Sequence, residues 1–288
     1  MLITLNGYTV GELLQDFFVE EFEHTIGELR TGDAPWPIGH GARPGADFLD
    51  AASITLTLCT SPLITNEAAA QAALNRLATA WRSSLGARPG VLVPLEFVIE
   101  GRARVVYGRP GRFSPPPPGS RLMRQGAAHV LAEFRVLDPH VYDVESTGLS
   151  LSVVPRSLGG IIAPITTPVT TSMTSGVEYR MLTVPGDAPA PLRVTFHGPA
   201  RDPRLAVDGA EIVGVVGSLA YDEDITVDGR TRTVALADGT PAGHPLSRSS
   251  RLDLLRVEPG VHELAFSATD RTGTAEVTVE ATPTFYHL

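Results

Sequence analysis

From Pro191 to Val279 the chain is a succession of short alternating runs cut by Gly, Pro and Asp turns, a pattern that leaves few folds open. Leu192 to Phe196 gives way to His197-Gly198-Pro199. Ile225 to Val234 is interrupted by Asp228-Gly229, and Glu258-Pro259-Gly260 leads into Val261 to Phe266. Alternation with period two marks strands buried on one face, and evenly spaced strands of this kind close into a barrel or a double sheet. Asp-Gly between two alternating runs is a strong hairpin signal.

The whole chain has 288 residues, more than one small sandwich needs, and suits two domains. At this size a chain buries about 75% of its unfolded surface and needs no disulfide or metal to hold a core. Its single cysteine, Cys59, excludes an intrachain disulfide. Leu56, Thr57, Leu58 and Thr60 alternate around it, so it is expected as a small buried or half-buried strand residue. The net charge of −9 is wrong for a phosphate-binding surface, which needs a basic footprint. No apolar run reaches the ~20 residues of a membrane helix. The start, Met1-Leu2-Ile3-Thr4-Leu5-Asn6-Gly7, reads as a strand entering a Gly turn rather than a signal peptide. Folding in the cytosol where the chain is made, without membrane insertion, is the expectation.

The first half mixes strands with one helix. Phe17 to Phe22 is a strand, with Phe18, Glu20 and Phe22 expected on one face and Phe17, Val19 and Glu21 on the other. Ile54 to Cys59 is a second. Between them, Gly27 to Ala52 is rich in Gly, Pro and Asp and reads as a long irregular loop. A loop of about 25 residues inside a compact domain is usually functional or ordered by a partner. Thr65 or Asn66 caps the helix, and Ala70, Leu74, Leu77, Trp81 and Leu85 form one apolar stripe that covers a sheet. Gly86 and Pro89 end it. Val91 to Ile99 and Arg102 to Tyr107 form a hairpin about Glu100-Gly101. The Pro115–Pro118 run is a stiff exposed loop. Ala127 to Leu137 is a long strand ending at Asp138-Pro139. The domains are expected at residues 1–145 and 165–288, joined by a linker over 146–164 that includes flexible Ser157-Leu158-Gly159-Gly160. The fold class is mainly β: an α+β first domain of sandwich or split-barrel type with one helix, then an all-β domain.

Recognisable chemistry is sparse. No nucleophile elbow, Walker A loop or dinucleotide-binding glycine pattern occurs. Eight histidines are scattered, with no zinc-ligand spacing among them. His40, between Gly39 and Gly41, stands out and reads as a polar loop residue. Asp222-Glu223-Asp224 with Asp228 lacks the ligand spacing of a calcium loop and reads as a turn and strand start. Neither catalysis nor a cofactor or metal is expected.

Taken in order, the turns and strand ends resemble the distal tail proteins of siphophages. In the first half the likeness rests on Leu5-Asn6-Gly7, Gly32-Asp33, Pro37-Ile38-Gly39-His40-Gly41, Asp47, the strand at Ile54, the helix and Pro94-Leu95-Glu96-Phe97. It also rests on Leu131–Leu137 closing on Asp138-Pro139-His140-Val141-Tyr142, an ending similar to that of minor tail proteins from phages of actinobacteria. In the second half it rests on Gly186-Asp187-Ala188, His197-Gly198-Pro199, Asp228 with Arg232, and Pro259-Gly260. Pro185 and His262 depart from the Asn found in many relatives. The resemblance implies a first domain that builds a homo-oligomeric ring, commonly a hexamer, and a galectin-like jelly-roll second domain projecting outward. The ring would sit in the virion tail tip, joining the tail tube protein to the baseplate hub and to receptor-binding proteins. DNA would pass its lumen without sequence-specific contact. The candidate inter-subunit loop comprises Asp33, Trp36, Gly39, His40 and Asp47. The alternative is a carbohydrate-binding module acting in adsorption to the host envelope, an analogy at the level of fold. Aromatics that could stack on sugars are few in the second half: Tyr179, Phe196, Tyr221, Phe266, Phe285 and Tyr286.

Overall fold

A computed structural model of the chain describes residues 1–12, 14–82, 85, 88–153, 155–156, 174–175, 177–270 and 273–288. It is mainly β and divides into two compact units, Met1–Val144 with Phe285–Leu288, and Glu145–Thr284. Among the described residues no helix is long and apolar enough to cross a membrane.

In the first unit the strands are β1 (Leu2–Leu5), β2 (Tyr8–Val10), β3 (Phe17–Thr25), β4 (Leu29–Thr31), β5 (Ala34–Pro35), β6 (Ala42–Arg43) and β7 (Asp47–Leu49). They continue with β8 (Ala52–Thr60), β9 (Val93–Ile99), β10 (Arg102–Ser114) and β11 (His129–Asp143). The main sheet runs β2-β1-β9-β10-β11-β8-β3, antiparallel throughout. It curls: Gly11 N–H at one end donates to Phe17 C=O at the other (2.9 Å), and Phe22 of β3 meets Phe97 of β9 edge-on at 5.7 Å. Leu56, Leu58, Leu95, Phe97, Val130 and Phe134 point into the enclosed core. The Glu100-Gly101 hairpin is present, with both residues at positive φ (51° and 79°), the geometry of a tight two-residue turn.

Helix α1 (Glu67–Trp81) covers one face of this sheet. Asn66 caps it, its side chain accepting from Ala69 N–H at 2.9 Å. Ala70, Ala73, Leu74, Leu77 and Trp81 are buried, but Leu85 is not part of the stripe: the helix ends at Trp81 and Leu85 is exposed. Gly86, its expected stop, lies outside the described residues. A second, one-turn helix α2 (Arg121–Arg124), capped by Ser120, follows the Pro115–Pro118 segment, so the described residues of the unit hold two helices rather than one.

Two strands depart from simple alternation. A β-bulge between Val19 and Glu21 inserts Glu20 and reverses the parity of β3. Phe22 therefore packs against the core with Phe17 and Val19 rather than on the opposite face. β11 does not stop at Asp138 but continues to Asp143, after register shifts opposite Tyr107 and Gly108.

The second unit contains β12 (Thr147–Ser152), β13 (Pro155–Arg156), β14 (Thr174–Ser175), β15 (Glu178–Val184), β16 (Ala190–His197), β17 (Ala200–Val207), β18 (Ala210–Gly214) and β19 (Ser218–Leu219). It is completed by β20 (Asp224–Asp228), β21 (Thr233–Leu236), β22 (Arg256–Val257), β23 (Gly260–Thr269) and β24 (Glu276–Ala281). One sheet runs β12-β24-β16-β20-β21 with β22 beside β16; the other runs β15-β23-β17-β18 with β19 beside β17. Val194, Phe196, Val277 and Val279 from the first meet Leu205, Leu264 and Phe266 from the second in a single core, the expected two-sheet arrangement. Thr147–Ser152 is not linker: it pairs along β24 and buries Leu151. The expected flexible segment Ser157–Gly160 lies outside the described residues.

Asp228 ends β20 and shapes its turn. Its Oδ1 accepts from Arg230 and Thr231 N–H (both 2.9 Å), and its Oδ2 accepts from Arg193 (2.9 Å). Asp224 likewise starts β20 and receives the ring of His197 at 2.9 Å, so the acidic run is turn and strand start. His262 is held by Asp208 Oδ2 (2.7 Å) and the Glu258 carbonyl (2.6 Å), tying two turns together.

Candidate functional site

The segment expected as an irregular loop is a β arm. Beyond the body of the sheet, β4 pairs with β7 and β5 with β6, continuing the hairpin that β3 and β8 begin. Gly32 N–H to Ala46 C=O (3.0 Å), Asp50 N–H to Glu28 C=O (2.9 Å) and Trp36 N–H to Gly41 C=O (3.2 Å) stitch it between the ladders. The glycines have steric reasons. A Cβ on Gly45 would strike the Gly32 carbonyl, one on Gly27 the Asp50 carbonyl, and Gly39 at the tip has φ of 112°.

Every candidate residue of the loop maps onto this arm. Asp33 Oδ1 accepts from Gly45 N–H at 2.9 Å and fixes the ribbon across its width. Asp47 opens β7 opposite Thr31. Trp36, Gly39 and His40 surround the tip, with the Trp36 ring over Gly41. Nearly all of residues 26–50 are exposed, including Ile26, Leu29, Trp36, Phe48 and Ile38, the last at 94%. Arg30 lies over the Phe48 ring (5.7 Å) and 3.7 Å from Asp50, both in solvent. The arm thus offers large apolar side chains and unfilled strand edges but encloses no core.

A second arrangement was not legible in the linear spacing. Cys59 of β8 lies opposite His129 of β11 on one side and Phe18 of β3 on the other. Glu20, displaced by the bulge, reaches the same spot. Cys59 Sγ donates to Glu20 Oε2 at 2.8 Å and lies 3.2 Å from His129 Nδ1, itself 3.4 Å from Glu20 Oε2. Cys59 is buried as expected, but beneath these side chains on the outer face of the sheet rather than in the core. Burial, then the hydrogen bond and negative charge of Glu20, push its thiol up to about 12.

Where β11 runs past Asp138, that carboxylate is a small hub. Tyr142 Oη donates to Oδ2 at 2.8 Å, and the His140 ring lies 3.3 Å from Oδ1. Burial raises the Asp138 pKa, but the His140 and Tyr142 contacts outweigh it and hold the group below the usual carboxylate range. Tyr142 also meets Tyr107 edge-on at 5.6 Å. The closing residues return here: Arg104 stacks on Phe285 (4.1 Å) and donates to the His287 carbonyl (3.0 Å). A cleft lined by Asn6, Tyr8, Asn75, Arg76 and Thr79 opens beside α1. Its charge is already engaged, with Arg76 gripping Asp16 in two bonds of 2.9 Å and Tyr8 donating to the same carboxylate at 2.7 Å.

In the second unit Phe196 and Phe266 belong to the core, while Tyr179 and Tyr221 are exposed.

No family model matches the sequence, and neither does any curated protein. Among solved structures, the chain is similar to the Dit protein of phage SPP1, described as a paradigm of the hub adsorption apparatus in phages infecting Gram-positive hosts. The TM-score is 0.61 at 15% identity, covering 99% of this chain and 98% of that one. It is also similar to chains of the phage P2 baseplate in its activated conformation. With strontium the TM-score is 0.54 at 11% identity, covering 98% and 96%; with calcium it is 0.52 at 10%, covering 94% and 91%. At these identities the likeness is one of fold, and it spans both units from end to end.

Proposed function

We propose that this chain is a structural, non-enzymatic component of a phage tail tip: a distal tail protein whose first unit closes into a ring, of six copies, between the tail tube and the baseplate hub. The observation that carries the reading is the fold match with the SPP1 Dit protein over 99% of this chain and 98% of that one. The ordered turn motifs support it independently of the coordinates. In this reading the second unit is galectin-like and faces outward toward host-recognition proteins, and the acidic chain lines a lumen that does not hold DNA phosphates. The arm is the contact between neighbouring copies. It is an extended two-stranded ribbon with exposed Trp36, Ile38 and Phe48, and two strands alone are marginal in water. Contacts of this head-to-tail kind close into rings when the rotation allows.

The test is the assembled particle. Images of the tail tip averaged without imposed symmetry should show this chain in a six-fold ring. Single copies there, or a location away from the tube end, would overturn the assignment.

A further inference from the structure

The outer face of the first unit's sheet carries one group of side chains that the ring reading leaves unused. Glu20, Cys59 and His129 come from three adjacent strands, and their nearest atoms close a triangle with edges of 2.8, 3.2 and 3.4 Å. We propose that these three residues form a site for a zinc-class divalent cation, with the fourth coordination position open to water.

The geometry fits that ion. Bonds of about 2.3 Å to sulfur and about 2.0–2.1 Å to nitrogen and oxygen, at tetrahedral angles, place ligand atoms about 3.3–3.6 Å apart. The two edges that include His129 Nδ1 are already close to this range. The third opens by rotating Glu20, whose side chain is half exposed and free to move outward. Entry is direct, because Glu20 and His129 face solvent over Cys59. A thiolate, an imidazole and a carboxylate select zinc over calcium or magnesium, which take oxygen sets.

The same residue types could form a nucleophilic relay, but the arrangement differs. In a relay the carboxylate holds the imidazole nitrogen remote from the nucleophile. Here Glu20 Oε2 approaches both Cys59 Sγ and Nδ1, the ring nitrogen nearer the sulfur. The three groups converge on one point, as ligands do. When the cation binds, the Sγ–H bond breaks heterolytically, the proton passes to solvent, and the sulfur lone pair forms the metal bond. No oxidant or reductant is involved.

Cys59 is the only cysteine, so a thiolate signal reports this site alone. Reduced, metal-stripped full-length protein titrated with Co²⁺ should develop a sulfur-to-cobalt charge-transfer band that saturates at one ion per chain. Zn²⁺ should abolish it and Ca²⁺ should not. Loss of a hydrogen-bond partner to a ligand typically weakens metal binding about 10–100-fold, and loss of a ligand should cost at least that. Cys59→Ser should therefore lose the band, while His129→Asn and Glu20→Gln, at half-exposed positions, should keep the fold and weaken binding at least about tenfold. Absence of the band in the parent protein would overturn the site. So would a band that survives Cys59→Ser, or unchanged affinity in both His129→Asn and Glu20→Gln.

Discussion

β3 and β8 are each nine residues of strand in the body of the first unit, and the same hairpin continues as the arm. In the body every second side chain of β8 is buried, and Ile54, Leu56 and Leu58 are at most 1% exposed. In the arm no face is buried, and Trp36 and Ile38 stand in water. One hairpin therefore has two energetic regimes. The body is held by its own core, whereas the arm is held by a few backbone hydrogen bonds and by glycines that let its strands approach. Substitutions in the body should act on folding, and those in the arm on association.

The largest effect is expected where a core-bearing strand is removed outright. β12 contributes Leu151 and is followed by Val153, both buried. Burying each such side chain is worth about 1.5–3 kcal/mol, so a fragment of residues 165–288 should be less stable than one of residues 145–284 by several kcal/mol. Thermal melts of the two fragments, followed by far-ultraviolet circular dichroism, would compare them. Equal melting would mean that β12 is as dispensable as a linker.

Trp81→Ala comes next. The ring packs in the core against Phe134 and Phe113 at 6.4 and 6.3 Å, and truncating a buried aromatic costs about 3–5 kcal/mol. Both tryptophans lie in the first unit, so in this variant Trp36 fluorescence follows the arm while circular dichroism follows the two units. The transition of the first unit should fall and that of the second should stay. A variant that melts normally but fails to assemble would make α1 a partner-binding face instead.

A smaller loss is expected from Tyr142→Phe, which leaves an oxygen of the half-buried Asp138 without its hydroxyl donor, at about 1–3 kcal/mol. The pH dependence has a definite sign. Asp138 is held below its ordinary pKa in the folded state, so its contribution is fully present above the unfolded value, near about 4. It is lost as pH falls through the lower folded value. The stability of Asp138→Asn should therefore be less acid-sensitive than that of the parent between pH 5 and pH 2, taken as rough limits. Parallel pH profiles would count against the hub.

How much of this was legible beforehand follows the same division. The Asn66 cap, the stripe from Ala70 to Trp81, the Glu100-Gly101 turn and the second unit's alternation all write local physics into local sequence, and each is present. The arm reads as loop in the sequence because an exposed ribbon has no buried face to impose alternation, and its Gly and Pro residues match the signature of irregular chain. The parity of β3 departs from the sequence pattern because one inserted residue, Glu20, resets a period-two alternation without any local mark. Leu85 continued the stripe on paper, but the helix had already ended. The Glu20–Cys59–His129 group depends on that same bulge and on a pairing between residues 70 positions apart, so no spacing rule reaches it.

The smallest effect on stability, and the sharpest test of the comparison, belongs to the arm tip. Trp36→Ala with Ile38→Ser removes two large apolar side chains that are 52% and 94% exposed, and exposed substitutions usually shift stability by no more than about 0.5 kcal/mol. The isolated double variant should therefore melt with the parent chain. If the arm seats these side chains on a neighbouring copy, the same change leaves each copy folded but strips the contact of its apolar anchors, the kind of residue that dominates interface energies. Under the proposed tail-tip role, phage particles carrying the variant gene should then lack complete tail tips, while the purified chain remains indistinguishable by circular dichroism. A clear fall in melting temperature would place the tip against its own body. Normal tail tips would show that the ring, if it forms, is held by something other than the arm.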